Sequence, residues 1–132
     1  MTIPVLIVDD SPIMRAMMRK ALALSGHPSE QILEAADGVE ALELLRAGKA
    51  SLVLADIHMP RMTGIELIEQ MAKDPTLSEL PVVVVSSDAG PQYQERLIAL
   101  GVRAILRKPF RPEQVRAIIR NLSNEPSNKS KS

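Results

Sequence analysis

The chain reads as an α/β domain, a doubly wound five-stranded parallel sheet with helices on both faces. Two observations carry that expectation. Four nearly continuous apolar runs, Ile3 to Val8, Leu52 to Ala55, Val82 to Val85 and Ala104 to Arg107, are each followed by a helical pattern. Runs of this length, rich in β-branched residues and without alternation, are strands buried on both faces of a parallel sheet. Second, each run ends in a polar signal: Asp9-Asp10, Asp56, Ser86-Ser87 and Lys108-Pro109. Parallel strands all point one way, so these residues collect on one rim, where ligands of such sheets bind.

Each element follows in order. After the first strand, Ser11 caps a helix with Pro12 at its first position, where a missing N–H costs nothing. Met14, Met17, Met18, Ala21 and Leu22 recur at helical spacing and are read as core, and Gly26 stops the helix. Gln31 to Ala36 is a weak second strand. Asp37 caps a helix with Ala41, Leu42 and Leu45 on one face, ended by Gly48. Beyond the third strand comes a loop from Ile57 to Met62, and then Thr63 or Gly64 opens a helix with Ile65, Ile68, Met71 and Ala72 inward. After the fourth strand, Tyr93, Leu97 and Leu100 mark a more polar helix ending at Gly101. Pro112 starts the last helix, whose buried stripe is Val115, Ile118, Ile119 and Leu122. From Asn124 onward only polar residues and one proline follow, a composition that stays disordered. The alternation with short connections implies right-handed crossovers and three layers.

At 132 residues the chain is one domain with a single core. Two aromatics, Tyr93 and Phe110, are too few for stacking on exposed bases. Lys and Arg number 16, balanced by 16 Asp and Glu, so no global basic field draws the protein to nucleic acid or an anionic membrane. Cysteine is absent, which excludes disulfides, thiolate metal sites and a cysteine nucleophile and suits the cytoplasm. The first apolar run ends in two aspartates and is too short for a signal segment or a membrane span.

The motifs Val8-Asp9-Asp10-Ser11, Ala36-Asp37-Gly38, Asp56-Ile57-His58-Met59-Pro60, Thr63-Gly64, Leu80-Pro81, Ser86 and Lys108-Pro109-Phe110 stand in order. With them the chain resembles the receiver domains of bacterial two-component response regulators, especially the single-domain chemotaxis type. The resemblance covers residues 3 to about 122, giving a receiver domain at 1–123 and a polar tail at 124–132. It implies a flavodoxin-like sheet in strand order 2-1-3-4-5, Asp56 as phosphoacceptor and a cis Lys108–Pro109 bond.

The chemistry of the residues agrees. Three carboxylates at one rim disfavour mutual ionisation, and a hard divalent cation relieves them. Oxygen-only ligands favour magnesium, with manganese able to substitute. Asp10 and Asp56 are expected to ligate directly, Asp9 through water, and His58 by its backbone carbonyl. Asp56 then attacks phosphorus, Lys108 balances the added charge, and the Ser86 hydroxyl donates to a phosphoryl oxygen. His58 lacks spaced partners, so its ring is read as bordering the pocket and not as a ligand. Separately, each signal has a plainer reading: Asp9-Asp10 as a helix cap, Ser86-Ser87 and Lys108-Pro109 as turns.

Four positions depart from the family pattern. Ser86 stands for a common Thr, Ile105 for an aromatic residue that swings inward on activation, His58 for a frequent Asn and Asp88 for a frequent Glu. The functional expectation is a response regulator, not an enzyme, that accepts phosphate from a histidine kinase or phosphotransfer protein. It signals to an unknown protein target through the fourth helix, fifth strand and fifth helix, as a monomer or weak dimer. A phosphohydrolase with an aspartyl-phosphate intermediate is the alternative, although the adjacent aspartates lack the Asp-x-Asp spacing of haloacid-dehalogenase-like enzymes and no residues are spare for a cap. A nucleotide-binding module is disfavoured, because Asp-Asp-Ser-Pro at the first turn repels a pyrophosphate. A phosphate sink remains a variant within the family.

Overall fold

A computed structural model describes residues 3–87, 90–108 and 110–124. The elements run β1 (Val5–Val8), α1 (Pro12–Leu24), β2 (Ile32–Ala35), α2 (Gly38–Arg46), β3 (Leu52–Ala55), α3 (Gly64–Lys73), β4 (Val82–Ser86), α4 (Pro91–Ala99), β5 (Ala104–Arg107) and α5 (Pro112–Asn124), with a 3-10 turn at Ser29–Gln31. The five strands are all parallel in the order β2-β1-β3-β4-β5. The order reverses between β1 and β3, and that is where the rim residues gather. Residues 125–132 of the expected tail, together with Asp88 and Pro109, lie outside the described residues, so the cis expectation does too. Asn124, placed at the head of the tail, belongs to the last turn of α5.

Alternate strand residues divide the core. Leu6, Val8, Val53, Ala55, Val82 and Val84 face α2, α3 and α4, whereas Val5, Ile7, Leu52, Leu54, Val83 and Val85 face α1 and α5. Every one of these is buried, as strands covered on both faces require.

Local signals set the helix ends. The Ser11 hydroxyl accepts from the Met14 N–H at 3.2 Å, and Asp37 accepts from the Glu40 N–H at 2.9 Å. Thr63 and Glu66 form a reciprocal capping box that opens α3. Gly26, Gly48 and Gly101 take positive φ just beyond α1, α2 and α4, a conformation that is cheap only without a Cβ.

Two side-chain expectations need correction. Met17, read as core, is 51% exposed, because the buried stripe of α1 is Met18, Ala21 and Leu22 and Met17 lies off its edge. In α3 the buried arc is Gly64, Leu67, Ile68 and Met71, so Leu67 is interior and Ala72 is exposed. The second strand is also shorter than the span 31–36, since Gln31 closes the 3-10 turn. β2 is an edge strand, and Glu34 fastens it to α1 through Arg15 at 2.9 Å and Arg19 at 2.8 Å. Burial opposes ionisation of Glu34, but the hydrogen bonds and charges of Arg19 and Arg15 together hold its carboxyl below the usual range.

Candidate phosphoacceptor site

Register alone brings the rim residues together. Val8 lies beside Ala55, Ala55 beside Val84, and Ser86 beside Arg107, so Asp9, Asp56 and Lys108 each emerge one step past a paired position. Backbone hydrogen bonds continue the ladders through them: Asp9 N–H to Ala35 O at 3.1 Å, Asp56 N–H to Val8 O at 2.9 Å, and Lys108 N–H to Ser86 O at 2.9 Å. The site residues are therefore extensions of a rigid sheet and not of wandering loops.

Carboxylate oxygens of Asp9, Asp10 and Asp56 all lie within 4.8 Å of one another. Their surroundings differ. Asp9 is 1% exposed, and its carboxylate accepts from Lys108 Nζ at 2.8 Å and from the Ser11 N–H at 2.9 Å. Asp10 faces solvent, while Asp56 is buried with Lys108 Nζ at 3.7 Å. One ammonium thus serves two buried carboxylates and sits closer to Asp9. Burial pushes the Asp56 carboxyl above its usual range and the Asp9 charge adds to this; Lys108 and the backbone N–H groups of Ile57 and His58 work the other way. The Ile57 N–H donates to Asp56 at 2.8 Å. Oxygen donors from three carboxylates at this spacing, one of them open to water, suit a hard cation that keeps part of its hydration.

Ser86 ends β4 and is fully buried, on the strand edge that meets Lys108. His58, next but one after Asp56, is exposed, with its ring edge-on to Tyr93. Ile105 is half-buried against the α2–α4 side of the core.

One residue carries a role that its motif did not explain. Gly64, at the start of α3, lies so close to the acceptor strand that an added Cβ would stand 2.0 Å from the Asp56 carbonyl oxygen and 2.9 Å from Ile57 Cα. Its N–H donates to Ile57 O at 2.8 Å, binding the helix start to the segment that holds Asp56. The available signal was a helix that opens on glycine directly behind a good threonine cap. Gly64→Ala should cost about 3 kcal/mol, at the upper end for overpacking, because the obstacle is backbone and cannot rotate away. Urea unfolding would measure this, and a loss below about 0.5 kcal/mol would mean that the segment has slack.

A doubly wound parallel sheet with clustered carboxylates and an opposed lysine at its carboxyl edge defines a class of small phosphoryl-handling α/β modules. The model of the response regulator receiver domain matches residues 5–120, and the chain belongs to that family, whose business is phosphorylation-based two-component signalling. Chemotaxis protein CheY1 of Helicobacter pylori is 35% identical over 109 residues, covering 82% of this chain and 86% of that one. Sensor histidine kinase TmoS of Ectopseudomonas mendocina is 32% identical over 118 residues, 89% of this chain but 12% of that protein. Among solved structures, Vibrio cholerae chemotaxis protein CheY4 superposes with a TM-score of 0.78 at 29% identity, covering 89% of this chain and 95% of that one. Among the described residues no helix is long and apolar enough to cross a membrane.

Proposed function

We propose that Asp56 is the phosphoacceptor of a signalling switch that is charged by a histidine kinase or phosphotransfer protein and read by a separate protein target. The observation that carries this reading is the Asp56 carboxylate itself, buried at the sheet rim among two further carboxylates and 3.7 Å from Lys108 Nζ. An Asp56 oxygen attacks the phosphorus of a phosphohistidine, the P–N bond breaks, and the departing imidazole takes up a proton. The product is an acyl phosphate on Asp56. Lys108, already shared between Asp9 and Asp56, moves toward the new phosphoryl charge, and the Ser86 hydroxyl donates to one of its oxygens. Asp9, Asp10, Asp56 and the His58 carbonyl would hold magnesium, or manganese in its place. When bound, the ion supplies charge neutralisation for the carboxylates and the transferring group.

The protein would catalyse only its own phosphorylation and dephosphorylation and work in the cytoplasm as a monomer or weak dimer. A groove of about 690 Å³, lined by Met14, Met17, Leu24, Phe110 and Pro112, opens at Ser87 and Lys108 and suits the phosphodonor's approach. The exposed Met17 has a use there that core packing would have denied it. Signal output is assigned to the face formed by α4, β5 and α5.

Acetyl phosphate with magnesium should add one phosphoryl group per chain by intact mass, and excess EDTA should suppress the addition. Labelling that proceeds unchanged in EDTA would remove the metal from this account. Turnover of a generic phosphate ester would favour the hydrolase instead.

A further inference from the structure

His58 is fastened at two points. Its backbone N–H donates to the Asp56 carboxylate, and its ring meets Tyr93 edge to face, with centroids 5.6 Å apart and planes at 85°. That separation and tilt are the arrangement aromatic pairs prefer. Tyr93 sits in the first turn of α4, where its N–H donates to Gly90 O at 3.0 Å, and its ring is half-buried against the α2–α4 side of the core. The C-terminal half of α4 has anchors of its own, the fully buried Leu97 and an ion pair between Arg96 and Glu69 of α3. The first turn of α4 is thus joined to the segment after Asp56 through the His58–Tyr93 ring contact.

Phosphorylation alters the first of these two fastenings. In the acyl phosphate one former carboxylate oxygen bridges carbon and phosphorus and accepts hydrogen bonds poorly, and the other becomes a neutral carbonyl oxygen, a weaker acceptor than a carboxylate. The His58 N–H is therefore drawn toward the negative charge on the phosphoryl oxygens. The peptide unit moves, and the ring it carries moves with it. Aromatic pairs hold their geometry over centroid separations of roughly 4.5 to 7 Å, so from 5.6 Å an outward displacement of about 1.5 Å or more ends the contact.

We propose that the His58–Tyr93 ring contact is a latch: closed, it ties the first turn of α4 to the unphosphorylated Asp56 segment, and phosphorylation opens it. This rests on Asp56 being the phosphoacceptor, and it gives α4 a signal that needs nothing from Ile105. Coupling runs both ways, so a target protein that takes hold of Tyr93 biases the Asp56 segment toward its phosphorylated arrangement.

Amide chemical shifts with and without beryllofluoride and magnesium test the latch. In the wild-type chain the amides next to Asp56 and those of residues 92–95 should both respond. In Tyr93→Leu the Asp56 neighbours should still respond, while the shifts at 92–95 shrink about threefold or more, as expected for lost coupling. Tyr93→Phe, which keeps the ring, should restore them. Tyr93 is the one tyrosine of a chain without tryptophan, so its emission gives a second reading. It should change on beryllofluoride addition in the wild type and not in His58→Ala. Full-sized shifts at 92–95 in Tyr93→Leu would overturn the latch while leaving the phosphoacceptor in place. No response beside Asp56 in the wild type would remove the phosphoacceptor, and the latch with it.

Discussion

Asp56→Asn should take up no phosphoryl group from acetyl phosphate, and it should melt higher than the wild-type chain at neutral pH in metal-free buffer. The first effect follows because an amide oxygen is too weak a nucleophile to replace the Asp56 carboxylate, and Asp9, also buried at a strand end, is already engaged by Lys108 at 2.8 Å. The second follows from charge. Burial, with help from Asp9, holds the Asp56 carboxyl above its ordinary 3.8, so the folded chain binds more protons there than the unfolded chain between those two values. Stability from this group is therefore present below pH 3.8 and is lost as pH rises through the raised value. Asparagine does not ionise and escapes that loss. Its advantage should be full at neutral pH and vanish in acid, as thermal melts across that range would record. Persistent label on the variant sinks the acceptor assignment. An advantage that persists unchanged below pH 3.8 sinks the charge argument.

Lys108→Met should damage both the stability of the fold and the chemistry of the site. Lys108 Nζ lies 2.8 Å from Asp9 and 3.7 Å from Asp56, and both carboxylates are buried. Removing one member of a buried pair leaves uncompensated charge and costs about 3 kcal/mol. For a domain of this size that is a fall of roughly 10 °C in melting temperature without metal. Magnesium should recover more stability in the variant than it adds to the wild type, because the ion then meets carboxylates with no competing ammonium. Labelling by acetyl phosphate should slow by about a hundredfold or more, the scale set by losing one preorganised donor to a developing charge. Calorimetry with a magnesium titration and a labelling time course measure these effects separately. A variant as stable as the wild type in EDTA would show that Asp9 and Asp56 do not depend on the lysine.

The site was legible because a parallel sheet needs little more than its strand ends to be read. Val5–Val8, Leu52–Ala55 and Val82–Ser86 are strands with the expected polar residues at their carboxyl ends, and register does the rest. Side-chain direction was less legible. Periodicity gave α1 an apolar stripe but not its width, so Met17 was placed inward although its surface serves the groove instead. In α3, Leu67 and Ala72 are five positions apart on a helix apolar over much of its circumference, and the sheet and α2 together select 64, 67, 68 and 71. Asp9 and Asp10 look equivalent in sequence. Only the fold distinguishes the buried partner of Lys108 from the carboxylate left to water. The tie between His58 and Tyr93 had no sequence signal, since it joins two surface segments that no periodicity relates.

The position of Lys108 on the final strand has a consequence for how the chain is made. Synthesis delivers Asp9 and Asp56 with β1 and β3 long before β5 supplies the ammonium that faces them. A ribosome-bound chain halted after α4 holds two carboxylates that its finished fold buries together, and it lacks both their cation and the α5 side chains that cover β1 and β3. Such an intermediate has reason to stay open, because closing it would desolvate charge with nothing to offset it. The arrival of β5 and α5 supplies the missing strand edge, positive charge and apolar cover in one stretch of chain. Completion of the acidic site and completion of the fold are thus a single late event, timed by the order of the residues along the message.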